Sequence, residues 1–157
     1  MATNYKVLAD GKGLERQSTP GETLIYKLTG DETNGDLDYL VLDVLPKSGN
    51  PLHIHHKQHE TMHILKGRFK VQLEDEILYV EEGTFVYFPM GVKHAFVNLS
   101  DEPGKCIFTF SPGGSDKFFK EFSPIIRGFN GPPDPAVLNP IFEKYDWELC
   151  GPPLSLD

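Results

Sequence analysis

The chain is short of sulfur and of positive charge. It has two cysteines, Cys106 and Cys150, in 157 residues. Two such thiols build no disulfide framework and have no C-x-x-C spacing. Idle thiols suit a reducing compartment, so the expected location is the cytoplasm. Lysine and arginine number 15 against 23 aspartates and glutamates, a formal net charge of −8. That balance disfavours nonspecific binding to nucleic acid or to anionic membrane, since both need basic patches. No apolar run is long enough to span a bilayer. The opening MATNYKVLADGKG lacks the apolar core of a signal peptide. Internal repeats, low-complexity tracts and a glycine-rich phosphate loop are also missing. At this length the simplest organisation is one domain with a real core.

What is present is a succession of short apolar runs broken by turn residues, from about Leu24 to Ser111. LIYKL and LDYLVLDVL flank the loop GDETNGD, and PKSGNP breaks the chain again. In RFKVQL, Phe69, Val71 and Leu73 alternate with Arg68, Lys70 and Gln72. A period of two marks a half-buried strand. EDE turns the chain into ILYVEEG; TFVYFP, HAFVN and KCIFTFS follow. Many strands at spacings near ten residues predict an all-β antiparallel sandwich or barrel over about 24–111. The last third, 112–157, reads as an extension packed on its outside. SPGGSDKFFKEF holds a short helix. DPAVLNPIFEKY holds another, with Asp134 as N-cap and Pro135 at the first helical position. Val137, Leu138, Ile141 and Phe142 form its apolar face, continued by Tyr145, although Pro140 interrupts the hydrogen bonding. The tail CGPPLSLD reads as extended.

Five of the six histidines fall within PLHIHHKQHETMHILKG, residues 51–67. Side chains at i and i+2 of a strand share a face. His53 and His55 therefore point one way, Ile54 and His56 the other. After a loop at HKQH, Glu60, Met62 and Ile64 share a face that His63 avoids. Two imidazoles and a carboxylate aimed at one interior are a partial coordination shell for a transition metal. The sixth histidine opens HAFVN, which puts His94, Phe96 and Asn98 on one face. Before it, Gly83 starts a strand ending at Pro89, and PMG makes a tight turn through Pro89 and Gly91. His56, His59 and His63 read as residues without a functional role, with His59, in the loop beside Glu60, the one of the three that could line the pocket mouth. Met62, Phe69, Tyr87 and Phe96 read as core or pocket wall, and Asn98 as a brace.

These two stretches resemble the motifs of the cupin superfamily. His53, His55, Glu60 and Gly67 match the first, with the usual upstream glycine shifted to Gly49. Gly83, Pro89, Gly91, His94 and Asn98 match the second. A lone HxH is a weak signature, but nine positions at family spacing in two blocks are a strong one. The resemblance implies a single-domain double-stranded β-helix barrel, or jelly roll, with a short helical C-terminal extension. It also implies one divalent transition metal per chain (Fe, Mn, Ni, Zn, Cu or Co) held by His53, His55, Glu60 and His94. Three imidazoles and one carboxylate leave an octahedral ion two open positions, which suits a small ligand.

The function that follows is a metal-dependent enzyme acting on a small organic molecule. An oxygen-using dioxygenase of the quercetinase-like kind leads, with Glu60 as ligand and general base. Isomerases and lyases share this fold, and so do non-enzymatic modules that bind metal and a small molecule, because fold does not fix function. A structural zinc site is a further reading. LIYKL and LDYLVLDVL carry more apolar residues than a small barrel interior needs. Excess apolar residues on an outer face predict a homodimer. No nucleic-acid or membrane partner is expected.

Overall fold

Alternation becomes sheet most plainly over Asp38–Val44. Asp38, Leu40, Leu42 and Val44 are buried, while Tyr39, Val41 and Asp43 are half-exposed. In this computed structural model, which describes residues 5–131 and 133–157, eleven strands share two antiparallel sheets. The strands are β1 (Leu14–Gln17), β2 (Glu22–Leu28), β3 (Asp38–Val44), β4 (Pro51–His55), β5 (His59–Lys66) and β6 (Arg68–Leu73). They continue as β7 (Glu76–Glu81), β8 (Phe85–Phe88), β9 (His94–Asn98), β10 (Gly104–Ser111) and β11 (Trp147–Pro153). One sheet runs β1-β2-β3-β10-β5-β8 and the other β11-β4-β9-β6-β7. The architecture is the expected two-sheet cupin fold with two C-terminal helices. Its sheets extend beyond 24–111 at both ends, through β1 and β11.

Two helices separate β10 from β11: α1 (Ser115–Arg127) and α2 (Pro135–Lys144). α1 places Phe118, Phe119, Phe122 and Ile126 on one buried stripe. Spacings of three and four residues build such a stripe. Its start is tied to the barrel by the fully buried Asp38. That carboxylate accepts hydrogen bonds from Gly114 N at 2.9 Å, Ser115 N at 2.8 Å, Ser115 Oγ at 2.6 Å and Gly30 N at 2.7 Å. Asp134 caps α2 as expected, accepting from Ala136 N at 2.9 Å. Leu138 and Phe142 are buried, but Val137 is exposed, so the apolar face is narrower than expected. Val137 precedes Leu138 by one residue, which rotates it about 100° away around the helix. No helix among the described residues is long and apolar enough to cross a membrane.

The tail is extended, as expected, but it does more than cover the barrel. β11 pairs with β4, setting Trp147 opposite His55 and Leu149 opposite His53. Gly83 lies in the turn before β8 instead of starting the strand, with φ 84°. Gly49 carries no side chain because a Cβ there would lie 2.0 Å from the Phe96 carbonyl oxygen.

Candidate metal centre and its cavity

Three strands from both sheets supply the site. β4 turns His53 and His55 inward, β9 supplies His94 paired in register with His53, and β5 supplies Glu60 opposite Phe110 and Phe88. All four side chains are buried, and one ligand atom from each lies within 4.8 Å of the others. His53 Nε2 sits 3.1 Å from His55 Nε2. Glu60 Oε2 sits 2.9 Å from His55 Nε2 and 2.8 Å from His94 Nε2.

The outer nitrogens show how these rings are oriented. His53 Nδ1 lies 2.7 Å from the Pro51 carbonyl and His94 Nδ1 lies 2.9 Å from that of Val92. A carbonyl can only accept, so each Nδ1 carries a proton and donates it. In the neutral rings the Nε2 lone pairs then face inward. Lone pairs of His53 and His94 thus converge with the Glu60 carboxylate on one point. Such a set of acceptors fits a cation, and the N₃O donor set fits a divalent transition metal.

The electrostatics point the same way. Burial pushes His53 well below its ordinary value, helped by His94 and His55. Burial also lowers His55, against the hydrogen bond to Glu60. Both rings are therefore kept neutral, as ligation requires. Burial alone would raise Glu60 and lower His94, but their mutual attraction outweighs it. Glu60 is held below the usual carboxylate range and His94 above the usual imidazole value, so without a cation a proton on His94 Nε2 bridges the pair, and a bound metal would replace that proton.

Aromatic rings wall the centre. Phe88 stacks on His94 at 4.4 Å between ring centres. Trp147 meets His55 edge-on at 4.0 Å and lies 4.0 Å from Phe118. Beside the ligands is a cavity of about 60 Å³, lined mainly by leucines and aromatic rings of the barrel, α1, α2 and β11. The cavity is partly open, so a ligand larger than this volume can extend out of it.

The other histidines lie elsewhere. His56 is exposed, with Nε2 2.8 Å from Glu148 Oε2, and His63 is exposed on the outer face of β5. His59 does not line the pocket mouth. β5 begins at His59, so alternation turns it away from Glu60, and its Nδ1 meets the Tyr87 hydroxyl at 2.8 Å. Tyr87 is correspondingly exposed and is no pocket wall, whereas Met62, Phe69 and Phe96 are buried. Asn98 is a brace: its fully buried amide donates to the carbonyls of Val44 and Glu102 at 3.2 and 3.0 Å.

Two contributions were missed from sequence. Trp147 reaches the site only through the β11–β4 pairing. Glu22 occupies the buried parity of β2 with Leu24 and Tyr26, and a charged residue at such a position was the legible sign.

Comparison with known proteins supports this architecture. Residues 40–110 match the family described as the cupin domain. A curated relative, polyketide synthase CurC of Streptomyces cyaneus, is 26% identical over 90 residues, covering 57% of this chain and 57% of that protein. The match therefore spans little more than half of that relative's length. Among solved structures, KdgF from a Halomonas species superposes with a TM-score of 0.64 at 19% identity, over 73% of this chain and 99% of that one. An RmlC-like cupin from Shewanella frigidimarina gives 0.61 at 19%, over 74% and 99%. A predicted oxalate decarboxylase from Thermotoga maritima gives 0.63 at 13%, over 68% and 99%. At these identities the likeness is one of fold.

Proposed function

We propose that this chain, whose residues 40–110 match the cupin domain, is a metal-dependent enzyme acting on a small, largely apolar, oxygen-bearing molecule. One observation carries the reading: the three imidazole nitrogens and the Glu60 oxygen converge beside a cavity with an aromatic wall. A structural zinc site does not need an adjoining cavity of that kind. A divalent transition metal held there supplies Lewis acidity toward a substrate oxygen and, for a redox-active ion, access to O₂ chemistry. We take dioxygenation as the leading reaction. The chain's own part is to orient, to keep water out and to move a proton. His53 and His94, locked by the Pro51 and Val92 carbonyls, fix the ligand geometry. Phe110, Trp147 and Phe118 offer faces for a planar substrate and exclude water. Glu60 is the group assigned to accept a proton from a substrate hydroxyl, and it does so by swinging off the ion and away from the two histidines that otherwise hold it ionised. The polyketide synthase among its relatives makes polyketides the first substrates to test.

The test is metal analysis of freshly purified protein, then oxygen uptake with phenolic and enolic substrates. Uptake that depends on metal and is lost in His94→Ala supports a dioxygenase. Metal-dependent substrate conversion without oxygen uptake would move the reaction to an isomerase or lyase. Ligand binding without turnover would make the chain a binding module.

A further inference from the structure

A second carboxyl faces the same cavity. Glu22 is 2% exposed and lines the cavity together with Ser18, Thr19 and Asn50, while His53, His55 and Glu60 line it as well. Thr19 Oγ1 donates to Glu22 Oε2 at 3.0 Å. The other oxygen, Oε1, is buried and has no hydrogen-bond partner among the described residues. Leaving a buried acceptor unmade is costly, and a fold with no use for the carboxyl does better with an apolar residue there. Buried groups that weaken the fold are concentrated at functional sites. The surroundings sharpen the point. Leu24, Leu40 and Leu42 also line the cavity and offer no polar partner, while the hydroxyls that act on Glu22 are those of Thr19, bonded to Oε2, and Ser18.

We infer that Glu22 is a specificity-determining residue, whose free Oε1 hydrogen-bonds a substrate hydroxyl other than the oxygens at the metal centre. This rests on reading the cavity as the substrate site. The substrate class follows: a planar, largely apolar molecule with chelating oxygens and a further hydroxyl. A hydroxyl suits the site in either protonation state, since it both donates and accepts. Burial pushes the Glu22 carboxyl up from its ordinary value, with the Thr19 and Ser18 hydroxyls opposing. A substrate lacking the hydroxyl leaves Oε1 unpaired, which is how a polar site rejects an analogue.

The experiment uses the full chain loaded with zinc, which is redox-silent and leaves a catechol intact. Trp147 is the only tryptophan and lines the cavity, so its fluorescence reads binding. The probes are two matched pairs: 4-methylcatechol with 4-(hydroxymethyl)catechol, and 4-ethylcatechol with 4-(2-hydroxyethyl)catechol. We expect the wild type to prefer the hydroxylated member of at least one pair by about tenfold. Glu22→Leu should abolish that preference while still binding the alkyl member, and Glu22→Gln should keep part of it. Metal content and thermal melting of both variants check that the site is intact. Equal affinity within both pairs for the wild type would overturn the role of Glu22, and so would an unchanged preference in folded Glu22→Leu. If no catechol is bound at all, the reading of the cavity itself fails, and this assignment fails with it.

Discussion

Single residues divide sharply between the centre and the surface. His94→Ala is expected to cut metal occupancy by at least tenfold, because it removes one of four donors. His56→Ala and His63→Ala should leave occupancy unchanged. Elemental analysis after gel filtration checks all three. Loss of metal in a folded His56 or His63 variant would put the register of β4 or β5 out by one residue. Protons compete for the same imidazoles, so the metal should leave as pH falls below roughly 6. The metal-free protein should show a related dependence through His53 and His55. Burial depresses both, so the folded chain binds fewer protons there than the unfolded chain. Their stability contribution is present above the ordinary imidazole value and is lost as pH falls through it. His94 works in the opposite sense, which blunts the loss without removing two depressed rings. Glu22 is the reverse case. With its carboxyl raised, the folded state keeps a proton that the unfolded chain releases, so stability falls as pH rises through that window. Glu22→Gln should therefore match the wild type near pH 4 and melt higher at pH 7. The common facing of His53, His55 and Glu60 was legible because period-two alternation fixes facing within a short stretch, whereas His94 joined them only through the resemblance of its motif. Trp147 was not legible, because only a pairing between residues 92 positions apart, His55 and Trp147, brings it to the site.

Among elements, α1 is the informative one. Its sequence legibility stopped at a short helix, because Pro124 obscured the continuation to Arg127. What the sequence alone did not reveal is why the helix starts where it does. The start depends on Asp38, a residue of β3 that satisfies backbone groups at Gly30, Gly114 and Ser115. Asp38→Ala leaves those buried donors unmet, and a loss of about 3 kcal/mol is expected. Urea denaturation followed by Trp147 fluorescence measures it. If α1 holds the aromatic wall in place, the variant should also bind cavity ligands more weakly at unchanged metal content. Full affinity for the catechol probes would assign the wall's position to β11 alone.

At the scale of the whole molecule, the outer face of the six-stranded sheet carries a row that runs Ile25, Val41, Ile107, His63 and Phe85 across five strands. Phe85 is 61% exposed. The apolar faces of α1 and α2 turn toward the cavity, so they do not cover this row. We propose that a second copy does, across a two-fold axis. Light scattering should give twice 17.7 kDa, and Val41→Glu should return the monomer mass with the metal still bound. A wild-type mass of 17.7 kDa would remove the dimer. The chain order of the centre has one more consequence, and it concerns time. The ligands end at His94 and β10 ends at Ser111, but the tryptophan that closes the wall is residue 147. On a ribosome adding about 5–20 residues per second, that delay lasts roughly two to seven seconds. If the strands up to β10 pair within that interval, the nascent barrel is a cup with His53, His55, Glu60 and His94 together and one side still open, which gives an ion a route in before Trp147 arrives.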